Sequence, residues 1–85
     1  MSVTIRYLSA LRDNTGTGQE EVSLPEGSRL GDAAGYVHRK YGIRVPDPNV
    51  MFILNGKGWN QYSGGLETPL TEGDIILILP PVSGG

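Results

Sequence analysis

From Val3 to Leu8 the chain alternates, with Val3, Ile5 and Tyr7 on one side and Thr4 and Arg6 on the other. A period of two belongs to a β-strand with one buried face. Glu21-Val22-Ser23-Leu24 alternates again, and Asn14-Thr15-Gly16-Thr17-Gly18 between them has the composition of a turn or loop. Two short strands around a glycine-rich connection predict an N-terminal β-hairpin. The period then changes. Leu30, Ala33, Ala34, Val37 and Tyr41 recur at helical spacing and make one apolar stripe. Ser28 is placed as the N-cap, because a hydroxyl there accepts from an unpaired N–H of the first turn. Arg39 and Lys40 suit the negative end of the helix dipole, and Gly42 can close the helix in a left-handed conformation. Gly31 and Gly35 lower the helix propensity; close approach to a sheet is one physical reason to keep them.

Two later runs are apolar without alternation. Val50-Met51-Phe52-Ile53-Leu54 stops at Asn55-Gly56, a strong turn signal. Ile75-Ile76-Leu77-Ile78-Leu79 follows the turn Glu72-Gly73-Asp74 and is halted by Pro80-Pro81. Val45 to Asn49 is a loop, since Pro46 and Pro48 each disfavour helix in the preceding residue. Gly58 to Thr68 is polar and glycine-rich, with Trp59 and Tyr62 inside it. The order β-β-α-β-loop-β predicts an α+β domain, a mixed sheet of four to five strands with one main helix across it. The first and last long strands are expected to pair in parallel at its centre. Residues 1–80 form this domain and 81–85 a flexible tail.

Composition narrows the function classes. Eighty-five residues make one domain with no room to enclose a large substrate cavity, which weighs against a self-sufficient enzyme. Seven basic residues against nine acidic, with Arg39-Lys40 as the one basic pair, do not make a nucleic-acid footprint. The absence of cysteine excludes disulfides, a cysteine zinc site and a cysteine nucleophile. No leader pattern or run of 18 apolar residues is present, so a soluble cytoplasmic protein, monomeric when free and without a membrane partner, is expected. His38, alone of its type and off the apolar stripe, is expected on the solvated surface. No metal ligand set is expected. The carboxylates Glu20, Glu21, Glu67, Glu72 and Asp74 lie in or near turns and are expected to be solvated. Gly27-Ser28-Arg29-Leu30-Gly31 lacks the Gly-Lys-Ser/Thr of a phosphate loop and reads as a helix cap. Trp59 and Tyr62 either cover the edge of the core or contact a partner.

Three features converge on the C-terminus. If Ile76 and Ile78 point under the helix, Ile75, Leu77 and Leu79 point outward, and an exposed apolar patch on a small protein marks a partner surface. Pro80-Pro81 stiffens the chain beyond the strand. Gly84 and Gly85 carry no Cβ, so they can thread a narrow channel and approach a nucleotide closely. Pro81 to Gly85 spans on the order of 15 Å when extended. A carboxylate needs a leaving group before it can react; adenylation by an ATP-using partner supplies one, and a sulfur nucleophile can then displace AMP.

Leu54-Asn55-Gly56, Pro69-Leu70-Thr71-Glu72-Gly73-Asp74 and the ending from Leu79 to Gly85 resemble the MoaD/ThiS family of ubiquitin-like β-grasp sulfur carriers. Val3 through Ala10-Leu11-Arg12 and Ser28-Arg29-Leu30-Gly31-Asp32 match as well. The resemblance implies that Gly85 is adenylated by an E1-like adenylyltransferase and converted to a thiocarboxylate, with Gly84 giving access. It also implies that Leu77, Leu79, Pro80, Pro81, Val82 and Ser83 meet the partners. It further implies that the protein itself binds no cofactor and that ATP belongs to the activating partner. The sulfur acceptor implied first is the large subunit of molybdopterin synthase. Two departures bear on that acceptor. Leu79 stands where molybdopterin-branch members often carry Phe. Trp59 to Thr68 is longer than in the shortest members and is similar to carriers that feed cysteine synthesis or thio-natural-product pathways. Thiamin synthesis, a ubiquitin-like modifier that forms isopeptide bonds and a binding module with an inert tail are the other readings.

Overall fold

The computed structural model describes residues 1–81. Its elements are β1 (Ser2–Tyr7), α1 (Ala10–Thr15), β2 (Gln19–Ser23), α2 (Leu30–Tyr41), β3 (Met51–Leu54), β4 (Lys57–Gly58) and β5 (Ile75–Leu79). Two 3-10 turns, Trp59–Gln61 and Gly65–Glu67, lie between β4 and β5. The strands form one mixed sheet in the order β2-β1-β5-β3-β4. β1 and β5 run parallel at its centre, with Thr4 opposite Ile75 and Tyr7 opposite Ile78. The other pairs are antiparallel, including the N-terminal hairpin.

The alternation read from the sequence is the one the structure uses. Val3, Ile5 and Tyr7 of β1 and Ile76 and Ile78 of β5 are buried together with Leu30, Ala33, Ala34 and Val37 of α2. Phe52 and Leu54 complete this core from β3. Each fully buried isoleucine side chain contributes about 2–3 kcal/mol of transfer free energy. No helix among the described residues is long and apolar enough to cross a membrane.

Three local expectations are corrected. The hairpin connection contains α1, closed by Gly16 at φ 77°; six residues are too few to display a period. The start of α2 is capped otherwise than by Ser28. That hydroxyl donates to the Pro25 carbonyl at 2.7 Å, while the Asp32 carboxylate accepts from the Arg29 N–H at 2.7 Å. The cap is therefore supplied from inside the first turn, three residues on, as in half of a capping box. Gly42 does close the helix, at φ 73°.

The third correction concerns the helical glycines. A Cβ on Gly31 would lie 3.1 Å from the Leu66 carbonyl oxygen, so the close approach is to the 59–68 segment and not to the sheet. A Cβ on Gly35 would meet only the tip of the Arg39 side chain, at 3.1 Å. Gly35→Ala is therefore expected to stabilise the protein by about 0.5–1 kcal/mol through reduced backbone entropy in the unfolded chain. Gly31→Ala must displace a backbone oxygen and is expected to gain less or to lose. Paired urea melts check this; equal gains at both positions would mean that the Leu66 segment yields without cost.

Candidate functional site

β5 has two unlike faces. Ile76 and Ile78 are fully buried, whereas Ile75 is 46% exposed and Leu77 and Leu79 are half-buried on the opposite side. Register places Leu77 between Arg6 of β1 and Ile53 of β3, and Leu79 beside Met51. Ile75, Leu77, Leu79, Met51 and Ile53 thus make one apolar strip on the sheet face away from α2. The outward β5 residues are legible from the sequence. Met51 and Ile53 are not, because an unbroken apolar run conceals which alternate residues face out until its pairing is known. Pro80 is half-buried and Pro81 exposed where the chain leaves the sheet. Val82, Ser83, Gly84 and Gly85 lie outside the described residues.

The motif residues fix which side of β5 faces outward. Asn55 and Gly56 both have positive φ, 49° and 86°, and form the two-residue turn between β3 and β4. The Asn55 side chain accepts from the Ile75 N–H at 2.9 Å and donates to Asp74 at 3.0 Å. Asp74 also accepts from the Thr71 N–H at 2.7 Å and the Thr71 hydroxyl at 2.9 Å. Burial pushes the Asp74 carboxyl up, but these donors outweigh it and hold the group below its usual range. Asp74 is thus an anchor and not a solvated carboxylate. A one-residue slip of β5 would turn Ile76 and Ile78 to solvent, and the clasp of Asn55, Thr71 and Asp74 at its first residue opposes that slip.

The densest polar cluster is structural too. Glu20 accepts from the hydroxyls of Tyr7 at 2.9 Å, Tyr36 at 2.6 Å and Tyr41 at 2.6 Å, and from Lys40 Nζ at 3.0 Å. Tyr7 and Tyr41 meet edge to face, their ring centroids 5.3 Å apart. This lock ties β2 to the last turns of α2, contrary to the expectation of a solvated Glu20. Burial raises the Glu20 carboxyl, yet the four donors prevail and bring it down to about 2. Burial, then the hydrogen bond and charge of Glu20, push the Tyr7 and Tyr41 phenols up.

The pH consequences follow in sign. A lowered carboxyl adds stability that is present above its unfolded value, 4.5, and lost as pH falls toward 2. The raised phenols add stability present below 10.0 and lost as pH rises beyond it. Glu20→Gln is expected to cost about 2 kcal/mol near neutrality and to flatten the acid limb. Urea melts at several pH values, with phenol absorbance at the alkaline end, check this; parallel acid limbs for the two proteins would refute it.

Among the described residues no group of three or more His, Cys, Asp or Glu side chains is arranged to hold a metal. His38 is exposed on α2. The Tyr62 hydroxyl donates to the Leu54 carbonyl at 2.6 Å, so this ring covers the sheet edge. Trp59 lies 3.7 Å from where a Gly65 Cβ would stand and lines an open groove of about 600 Å³ with Pro46, Met51 and Ile53. The described residues therefore present an apolar strip beside the point where the chain leaves the sheet.

The ThiS family model matches residues 5–85. The chain belongs to the ThiS family. The "Sulfur carrier protein CysO" of Mycobacterium tuberculosis is 36% identical over 96 aligned positions covering all of both chains. The "Molybdopterin synthase sulfur carrier subunit" of the same organism is 29% identical, covering 100% of this chain and 99% of that one. Among solved structures, the small archaeal modifier protein 1 of Methanosarcina acetivorans superposes with a TM-score of 0.76 at 27% identity, covering 99% of this chain and 96% of that one. The mixed five-stranded sheet with one main helix is the ubiquitin-like β-grasp of such proteins. Like its ThiS-family relatives, the chain is a small carrier and not an enzyme.

Proposed function

We propose that this ThiS-family chain carries sulfur as a thiocarboxylate on Gly85. The observation that carries the proposal is the apolar strip along β5, which runs into Pro80-Pro81 in a sequence that continues to Gly84-Gly85. A partner that covers Leu77 and Leu79 receives the tail beyond Pro81. The carboxylate attacks the α-phosphate of ATP held by an E1-like enzyme, pyrophosphate leaves, and an acyl-adenylate forms. A sulfur nucleophile then displaces AMP, and one oxygen has been exchanged for sulfur. The carrier supplies no acid or base to these steps, in keeping with the occupied roles of Glu20 and Asp74.

For the acceptor we favour an enzyme of cysteine synthesis. The 36% identity to a CysO carrier, against 29% to a molybdopterin synthase carrier subunit, supports this order. So does the 59–68 segment, whose Leu66 packs against Gly31 of α2. Delivery to the large subunit of molybdopterin synthase is the second reading, supported by the full-length match to its carrier subunit. The experiment is an intact mass after incubation with an E1-like enzyme, ATP and a sulfur source, repeated after adding each acceptor. A gain of sulfur for oxygen, discharged by the cysteine-forming enzyme as cysteine appears, is the expected result. Discharge only by the molybdopterin synthase subunit would reverse the order, and no gain with an active E1-like enzyme would sink the carrier reading.

A further inference from the structure

Arg6 and Arg12 line one surface depression of about 380 Å³, with Leu8, Thr17, Gly18 and Gln19 around them. Arg6 stands opposite Leu77 on the open face of the sheet. Arg12 reaches the same place from α1 because residue 18 is glycine; a Cβ there would lie 3.2 Å from Arg12 Nε. The Leu8 N–H donates to the Ile78 carbonyl at 3.0 Å, so the depression adjoins the last turn of β5 before Pro80.

Among the described residues neither guanidinium has a carboxylate partner. The ion pairs among the described residues are Met1–Glu26, Arg29–Glu67 and Lys40–Glu20. Asp13, next in sequence to Arg12, and Glu21, two positions along β2 from Arg6's partner Gln19, pair with neither arginine. The chain as a whole carries a net charge of −2. Two cations side by side in an acidic chain repel each other, and an external anion relieves that repulsion.

We propose that Arg6 and Arg12 form a cationic seat for carboxylates on the E1-like enzyme that activates Gly85. This rests on the carrier reading and adds to it the charge of the partner's surface. A protein carboxylate fits better than a free anion, because both arginines are exposed and the seat is continuous with the apolar strip that a partner covers. A rim of charge beside an apolar contact acts mainly on the association rate and on register. Every delivery route passes through the activating enzyme, so the seat is independent of the acceptor.

The test measures association of the intact chain with the E1-like enzyme at about 0.1 M and about 0.5 M salt. Arg6→Ala/Arg12→Ala is expected to slow association roughly tenfold at the lower salt, with the deficit shrinking at the higher. Arg6→Lys/Arg12→Lys is expected to retain most of the rate. Arg39→Ala/Arg44→Ala, which removes the same charge from outside the docking face, is expected to stay within about twofold. Equal losses from the two alanine pairs, a deficit indifferent to salt, or no deficit would overturn the seat. The same samples are assayed for sulfur gain. Failure in the wild-type chain overturns the carrier reading itself, whereas normal gain with an unaffected Arg6/Arg12 variant overturns only the seat.

Discussion

A chain lacking Gly84 and Gly85 is expected to gain no sulfur at all, and to unfold at the same urea concentration as the full chain. The two halves of this expectation have different origins. The buried core ends at Ile78, and the described hydrogen bonds of β5 reach no further than the sheet. Removing two glycines beyond Pro81 deletes no described contact. The chemistry, in contrast, needs a carboxylate at the end of a reach of on the order of 15 Å past Pro81. Truncation shortens that reach by about 7 Å and leaves Ser83, with a side chain, at the tip. Misplacing a reacting atom by far less than this removes most of the advantage of a positioned reaction. Gly85→Ala keeps the length and the carboxylate but adds a Cβ, and is expected to slow sulfur gain roughly tenfold. Intact mass and urea melts on the three chains decide the matter. Undiminished sulfur gain by the truncated chain would mean that Gly85 is not the carrier atom's site.

How much of this was legible in the sequence depends on the kind of signal. The alternation of Val3, Ile5 and Tyr7 and the stripe from Leu30 to Val37 gave the core directly, because burial of one face imposes a period on a strand or helix. The outward set on β5 followed by the same rule once Ile76 and Ile78 were placed under α2. Asn55 and Asp74 were legible as turn residues, but their joining across the sheet was not. Nineteen residues separate them, and the bond exists only because β3 and β5 pair. Glu20 was misread for the same reason: its partners come from β1 and from α2, up to 21 residues away. α1 was hidden by its brevity. Arg6 and Arg12 each look like an ordinary surface cation; only the fold brings them to one depression.

Replacing Leu77 by Asn is expected to slow sulfur gain by about 100-fold while costing the fold less than about 1 kcal/mol. Leu77 faces outward in the middle of the apolar strip, between Arg6 and Ile53, and three positions before the proline pair. In the unbound chain an amide there is only half-buried and can hydrogen-bond water, so little stability is lost. Covered by a partner, the same amide is stripped of water without a designed hydrogen-bond partner, which costs about 1–3 kcal/mol beyond the lost apolar contact. Asn is chosen over Glu because a carboxylate at 77 would stand beside Arg6 and change the charge of the face as well as its polarity. Ile76→Asn, one residue earlier, reverses the pattern: it buries the amide in the core and is expected to unfold the chain. Sulfur gain under limiting E1-like enzyme, alongside urea melts, separates the two. If the Leu77→Asn chain is charged at the wild-type rate, the partner does not cover β5, and the tail reaches its site without help from the sheet.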